Sequence, residues 1–195
     1  MVRQKMSYYL AMSRSAVNLF TCLLLSQFAT GLAQAAWNPD VSIDRPELVF
    51  QMASRTTEQM QAFYEARGFP ADVLKEIGAV CYFTIGVDNK TNNTLWLDLA
   101  HWQVLDQHGK PVAHRSRAQW QQRWKQLGLS LANRNTFGWT IMPEARDLYP
   151  HEHIGSNLTL LRTRGPMTLI ARFPTGKDKQ GKIITVKLEK LQCRD

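Results

Sequence analysis

The sequence lacks an uninterrupted apolar run long enough for a bilayer. The longest, Ala16 to Phe28, falls short of the roughly 20 residues a spanning helix needs and is broken by Ser26 and Gln27. No G-x-S-x-G elbow, phosphate-binding glycine loop or H-E-x-x-H pattern occurs among the 195 residues, which removes the common signatures of serine hydrolases, nucleotide binders and zinc peptidases. Residues 1–35 hold no acidic side chain, and cysteine is confined to Cys22, Cys81 and Cys193. Each scarcity narrows the reading.

What the first 35 residues do contain is Arg3, Lys5 and Arg14, then the apolar run, then the small residues of "ATGLAQAA". That order is the order of a secretory signal peptide, with Ala33-Gln34-Ala35 as the cleavage site. Met12 offers a second start, because the stretch beginning there makes a compact signal by itself. Cys22 is a poor lipid-attachment site, since Phe20 and Thr21 before it are bulky. The mature chain is therefore expected to begin near Ala36 and to be periplasmic or secreted. Removing Arg3, Lys5 and Arg14 from the 24 lysines and arginines leaves 21 against 16 acids, a net charge of +5. That balance favours anionic surfaces but is not the footprint of a nucleic-acid binder. The remaining length, about 160 residues, suits one domain with a sizeable core.

In an exported chain the two remaining cysteines have one intramolecular pairing, Cys81 with Cys193. Residues 36–53, with Pro39 and Pro46, read as an irregular lead-in. Residues 54–78 read as a helical hairpin: Met60, Phe63 and Tyr64 fall on one stripe, Gly68 stops the first helix, and Val73, Leu74 and Ile77 make the stripe of the second. From residue 79 the period becomes two. Cys81, Phe83, Ile85 and Val87 share a face, as do Leu95, Leu97 and Leu99. Around 115–128 the alternation breaks, and Trp120, Trp124 and Leu127 follow a helical spacing. "NTFGWTIMP", "NLTLLRT", "MTLIARF" and "KIITVKLEKLQC" are each expected to be strands. In the last, Ile184, Val186 and Leu188 are even-numbered while Leu191 and Cys193 are odd, so one face holds both sets only if a bulge falls near Glu189–Lys190. The expected fold is mainly β: an immunoglobulin-like antiparallel β-sandwich over 79–195, with the N-terminal helical hairpin packed on it and one inserted helix. The stretch "LYPHEHIGSNLTL" resembles the loop-then-strand segment of exported immunoglobulin-like domains, a likeness of pattern confined to those residues.

Three constellations bear on function. His151 and His153 would point the same way on an extended chain, and with His101 from the first hairpin they would supply three ligands to a divalent metal ion. The alternative for the pair is a solvated loop before a strand. The methionines, Met142 and Met167 among them, lack the close spacing of a soft copper site. Arg115, Arg117, Arg123 and Lys125 surround Trp120 and Trp124, and Lys177, Lys179, Lys182, Lys187 and Lys190 lie near the C-terminus. Together they would form a positive, aromatic surface for phospholipid headgroups, lipopolysaccharide phosphates or an acidic protein. Equally, the two tryptophans would pin their helix to the sheet, and Trp96, outward by parity, would lie beneath the helical hairpin. Glu144 and Asp147 would act as general acid and base only in a cleft that raised one pKa. The chain is accordingly expected to be an exported, non-catalytic binding protein for a protein partner or an anionic envelope component. A periplasmic metal-binding protein using His151 and His153 is the alternative, and a hydrolytic enzyme comes third.

Overall fold

The computed structural model describes residues 38–195. The expected signal peptide, its cleavage site, Cys22 and the choice between Met1 and Met12 lie outside the described residues.

The chain opens with a β-hairpin, β1 (Val41–Asp44) and β2 (Leu48–Arg55), where a lead-in without regular structure was expected. Pro46 suggested irregularity, but it sits in the connection between the strands, where a missing N–H costs nothing. Leu48, Phe50 and Met52 alternate onto the buried face. Next come α1 (Thr57–Glu65) and α2 (Ala71–Gly78), the expected helical hairpin. Thr56 and Gln59 close a capping box on α1, and Gly68 at φ 75° makes the left-handed turn out of it. After β3 (Val80–Asn89), β4 (Leu95–Asp98) and β5 (Gln103–Leu105) come two helices rather than one: α3 (Arg117–Gln126) and α4 (Leu131–Thr140). The segment Asn135 to Pro143 was expected to be a strand, and most of it is the last turns of α4. The chain ends with β6 (Ala145–Leu148), β7 (His153–Leu161), β8 (Met167–Phe173) and β9 (Ile184–Leu191).

Every paired strand is antiparallel to its neighbour. The orders are β1-β2-β3-β7 in a four-stranded sheet, β4-β6 in a pair and β5-β8-β9 in a three-stranded sheet. The fold of the described residues is thus mainly β, with antiparallel sheets and four α-helices. Alternation along the strands puts Phe83, Ile85 and Val87 of the large sheet into one core with Leu95 and Leu97 of the pair and Leu169, Ala171 and Phe173 of the third sheet. The opposite face of the large sheet has its own core, which Val80 and Tyr82 of β3 share with side chains of the four described helices.

Cys81 and Cys193 are bonded, with Cα atoms 5.3 Å apart and 112 residues of sequence separation. The bridge ties β3 of the large sheet to the tail beyond β9. The phase of β9 changes where its parity required. Met167 faces Leu191 while Leu169 faces Leu188, so β9 carries an extra residue there, and Lys190 takes φ 60°. This bulge turns Leu191 inward, on the same face as Val186 and Leu188.

Candidate functional site

The basic helix α3 starts from Ser116, whose hydroxyl accepts from the Gln119 N–H while the Gln119 side chain accepts from the Ser116 N–H. Trp120 and Trp124, one turn apart, stack at 4.8 Å between ring centroids, and both are 0% exposed. Trp120 Nε1 donates to Thr159 Oγ1 at 2.9 Å, and Phe137 of α4 packs against both indoles. The two tryptophans therefore do not form a partner-contacting platform. A sheet face needs apolar cover, and the inserted helix supplies it through these side chains. Trp96 is not under the helical hairpin either: its Nε1 donates to Gly176 O at 2.8 Å, and Lys179 lies 5.6 Å from its ring.

The arginines around α3 are largely engaged within the molecule. Arg123 donates to Glu76 of α2, Arg115 lies 3.6 Å from the other oxygen of the same carboxylate, and the Arg115 guanidinium is 4.4 Å from the Trp120 ring. The hydrogen bond from Arg123, with the nearby positive charge of Arg115, holds the Glu76 carboxyl below its usual range. Arg117 donates to Ile141 O. Lys125 alone of the four cations is exposed and has no ion-pair partner among the described residues. A polar cleft of about 430 Å³ lies beside the helix, with Arg115, Gln119, Gln122 and Arg123 in its wall. The C-terminal lysines do not join it. Lys179 pairs with Asp98, Lys182 with Glu47 and Lys187 with Glu189, on or beside the other sheets.

The histidines are dispersed. His153 Nδ1 pairs with Asp88, its cross-strand neighbour on β3. His151 occupies the preceding turn at φ 64°. His101 lies 3.6 Å from Asp98 in a short 3₁₀ turn, Leu99–His101. Among the described residues no three His, Cys, Asp or Glu side chains gather in a metal-holding group. The expected trio of His101, His151 and His153 is thus not brought together, because the turn at His151 breaks the alternation on which the pair depended. Glu144 accepts from the Ala118 N–H at the start of α3, at 3.1 Å. Asp147, across from Trp96, holds the Tyr149 hydroxyl and pushes its pKa up.

The surface aromatic that the sequence reading missed is Trp139, 86% exposed near the end of α4. It lines a cavity of about 260 Å³ with Arg117, Pro143, Arg146, Gly155 and Ser156, and neither Glu144 nor Asp147 reaches that lining. One signal was present. On a helix, a residue two places after a buried Phe137 points to nearly the opposite side. Reading Asn135 to Pro143 as a strand hid it.

No protein-family model and no curated protein matches the chain. Among solved structures, the yjhA protein of Bacillus subtilis aligns over 77% of this chain and 97% of its own at 10% identity, with a TM-score of 0.45. The ycdA protein of Bacillus subtilis subsp. subtilis str. 168 aligns over 78% of this chain and 39% of its own, at 9% identity and a TM-score of 0.39. A FixG-related protein from Vibrio parahaemolyticus aligns over 76% of this chain and 98% of its own, at 12% identity and a TM-score of 0.32. At these levels the functional reading rests on the chain's own geometry.

Proposed function

We propose that the protein is an exported, non-catalytic binding module that engages an acidic protein partner through Trp139, Arg117 and Arg146. The observation that carries this reading is the Trp139 indole, 86% exposed and sharing its cavity lining with Arg117 and Arg146 and with no acidic residue. Tryptophan ordinarily buries about 150–250 Å², and tryptophan and arginine are the residue types that most often anchor protein interfaces. The charge on the wall selects for acidic groups opposite and predicts a salt-sensitive association rate. Export is supported by the Cys81–Cys193 bridge, a bond typical of oxidising compartments, together with the order of residues 1–35. An immunoglobulin-like arrangement is supported by strand order: β2-β3-β7 in one sheet and β5-β8-β9 in another interleave as two opposed sets of a Greek-key sandwich do. No comparable observation favours a metal at His151 and His153 or an acid–base pair at Glu144 and Asp147.

The test places a photo-cross-linking side chain at Ala145, on the cavity wall, in cells that export the protein. The expected result is a discrete protein adduct that disappears with Trp139→Ala and fades with Arg146→Glu, while the circular dichroism of both variants stays unchanged. Adducts that ignore Trp139→Ala would remove this face from the function. Trp139-dependent sedimentation with phosphatidylglycerol vesicles, without a protein adduct, would replace the partner by an anionic envelope surface.

A further inference from the structure

A separate cavity of about 430 Å³ opens where α1 passes over the outer face of the large sheet. Its lining is Arg55, Gln59, Met60, Phe63, Thr84 and Asn157, sharing no residue with the Trp139 cavity. The hydrogen bonds among its polar members run in one direction. Arg55 Nε donates to Thr84 Oγ1 at 2.9 Å, and Thr84 Oγ1 donates to Asn157 Oδ1 at 2.8 Å. Gln59 Oε1 accepts from the Thr56 backbone N–H at 3.1 Å, within the capping box of α1. The side-chain carbonyls of Asn157 and Gln59 are therefore already used by neighbours. What lacks a partner among the described residues is the two Nη groups of Arg55, Nδ2 of Asn157 and Nε2 of Gln59, and all of these are donors. No lining residue is acidic, so the floor combines N–H groups with one full positive charge.

The rest of the lining is apolar. Phe63 is 36% exposed, and its ring is fixed by Tyr64 edge-on at 5.0 Å and by the Arg67 guanidinium 3.5 Å from the centroid. Met60 lies beside it with a flexible thioether that adapts to a guest. A floor whose unpartnered atoms are all donors, beside this charge, repels cations and leaves a neutral acceptor underused. A carboxylate, with about four lone-pair directions on two oxygens, can take N–H groups from several sides at once.

We infer that this cavity binds a small organic carboxylate, its anionic head on Arg55, Asn157 and Gln59 and an aryl or short alkyl body against Phe63 and Met60. The test is a two-dimensional NMR titration of the protein with phenylacetate, following the side-chain amide signals of Asn157 and Gln59. Saturable shifts at both are expected. Asn157→Asp preserves the acceptor that Thr84 uses but replaces the free donor by a negative charge, and it should weaken phenylacetate by about tenfold or more. Phe63→Ala, at a half-exposed site, should weaken phenylacetate while leaving inorganic phosphate unaffected. Benzyl alcohol, the neutral counterpart, should not saturate. The inference is overturned if phenylacetate gives no saturable shift at these amides, if benzyl alcohol or phosphate binds as tightly, or if Asn157→Asp leaves the titration unchanged.

Discussion

Glu76 joins two helices that are distant in sequence. Its carboxylate accepts from Arg123 of α3 and faces Arg115 just before that helix. The carboxyl is held below its usual range, first by the Arg123 hydrogen bond. A depressed folded-state value means the contribution is fully present above the ordinary carboxylate range and is lost as pH falls through the folded value. Urea unfolding followed from pH 7 down to about pH 3 should show the wild type losing stability on acidification. Glu76→Gln should start lower at pH 7 and decline less steeply. Equal slopes would mean that the two guanidiniums are held by something else. Arg123→Ala should likewise act on stability before it acts on binding, which sets Arg123 apart from Arg146.

The helices divide their labour by face. Phe137 of α4 is fully buried against Tyr64, Trp120 and Trp124, whereas Trp139 two positions later is in water. Phe137→Ala should cost about 3–5 kcal/mol, and Trp139→Ala should stay within about 0.5 kcal/mol, both read from chemical denaturation midpoints. The same pair explains what the sequence could and could not reveal. The α1–α2 hairpin was legible because Met60, Tyr64, Val73 and Ile77 repeat at helical spacing and Gly68 marks the stop. The bulge in β9 was legible from the parity of Leu188 against Leu191. For α4 the cues conflicted: Thr136, Phe137, Trp139 and Ile141 favour strands by propensity, and only the packing of Phe137 between two other helices decides the matter. The Arg123–Glu76 pair spans 47 residues and the Thr84–Asn157 bond spans 73. No local pattern encodes such meetings, which is why both cavities stayed hidden and the α3 arginines looked free.

Across residues 38–195 the large sheet is buried on both faces: one face meets the other sheets and the other meets the helices. The Cys81–Cys193 bridge constrains this assembly at the strand, β3, that contributes to both cores. Replacing both cysteines by serine should cost about 2–5 kcal/mol, seen as a lower urea midpoint, and a reducing agent should reproduce the loss in the wild type but not in the variant. The sequence separation of 112 between the two cysteines also sets a schedule. Ribosomes add roughly 5–20 residues per second, so on the order of ten seconds pass after Cys81 is made before its partner exists. Until β7 (His153–Leu161) is made β3 can pair with β2 alone, and throughout the interval the Cys81 thiol lacks Cys193. Where unfinished copies crowd together in the oxidising compartment of export, a disulfide oxidant that takes up the electron pair and both protons can join two Cys81 thiols, and the proportion of such dimers should track how densely the chains are produced rather than how stable the finished fold is.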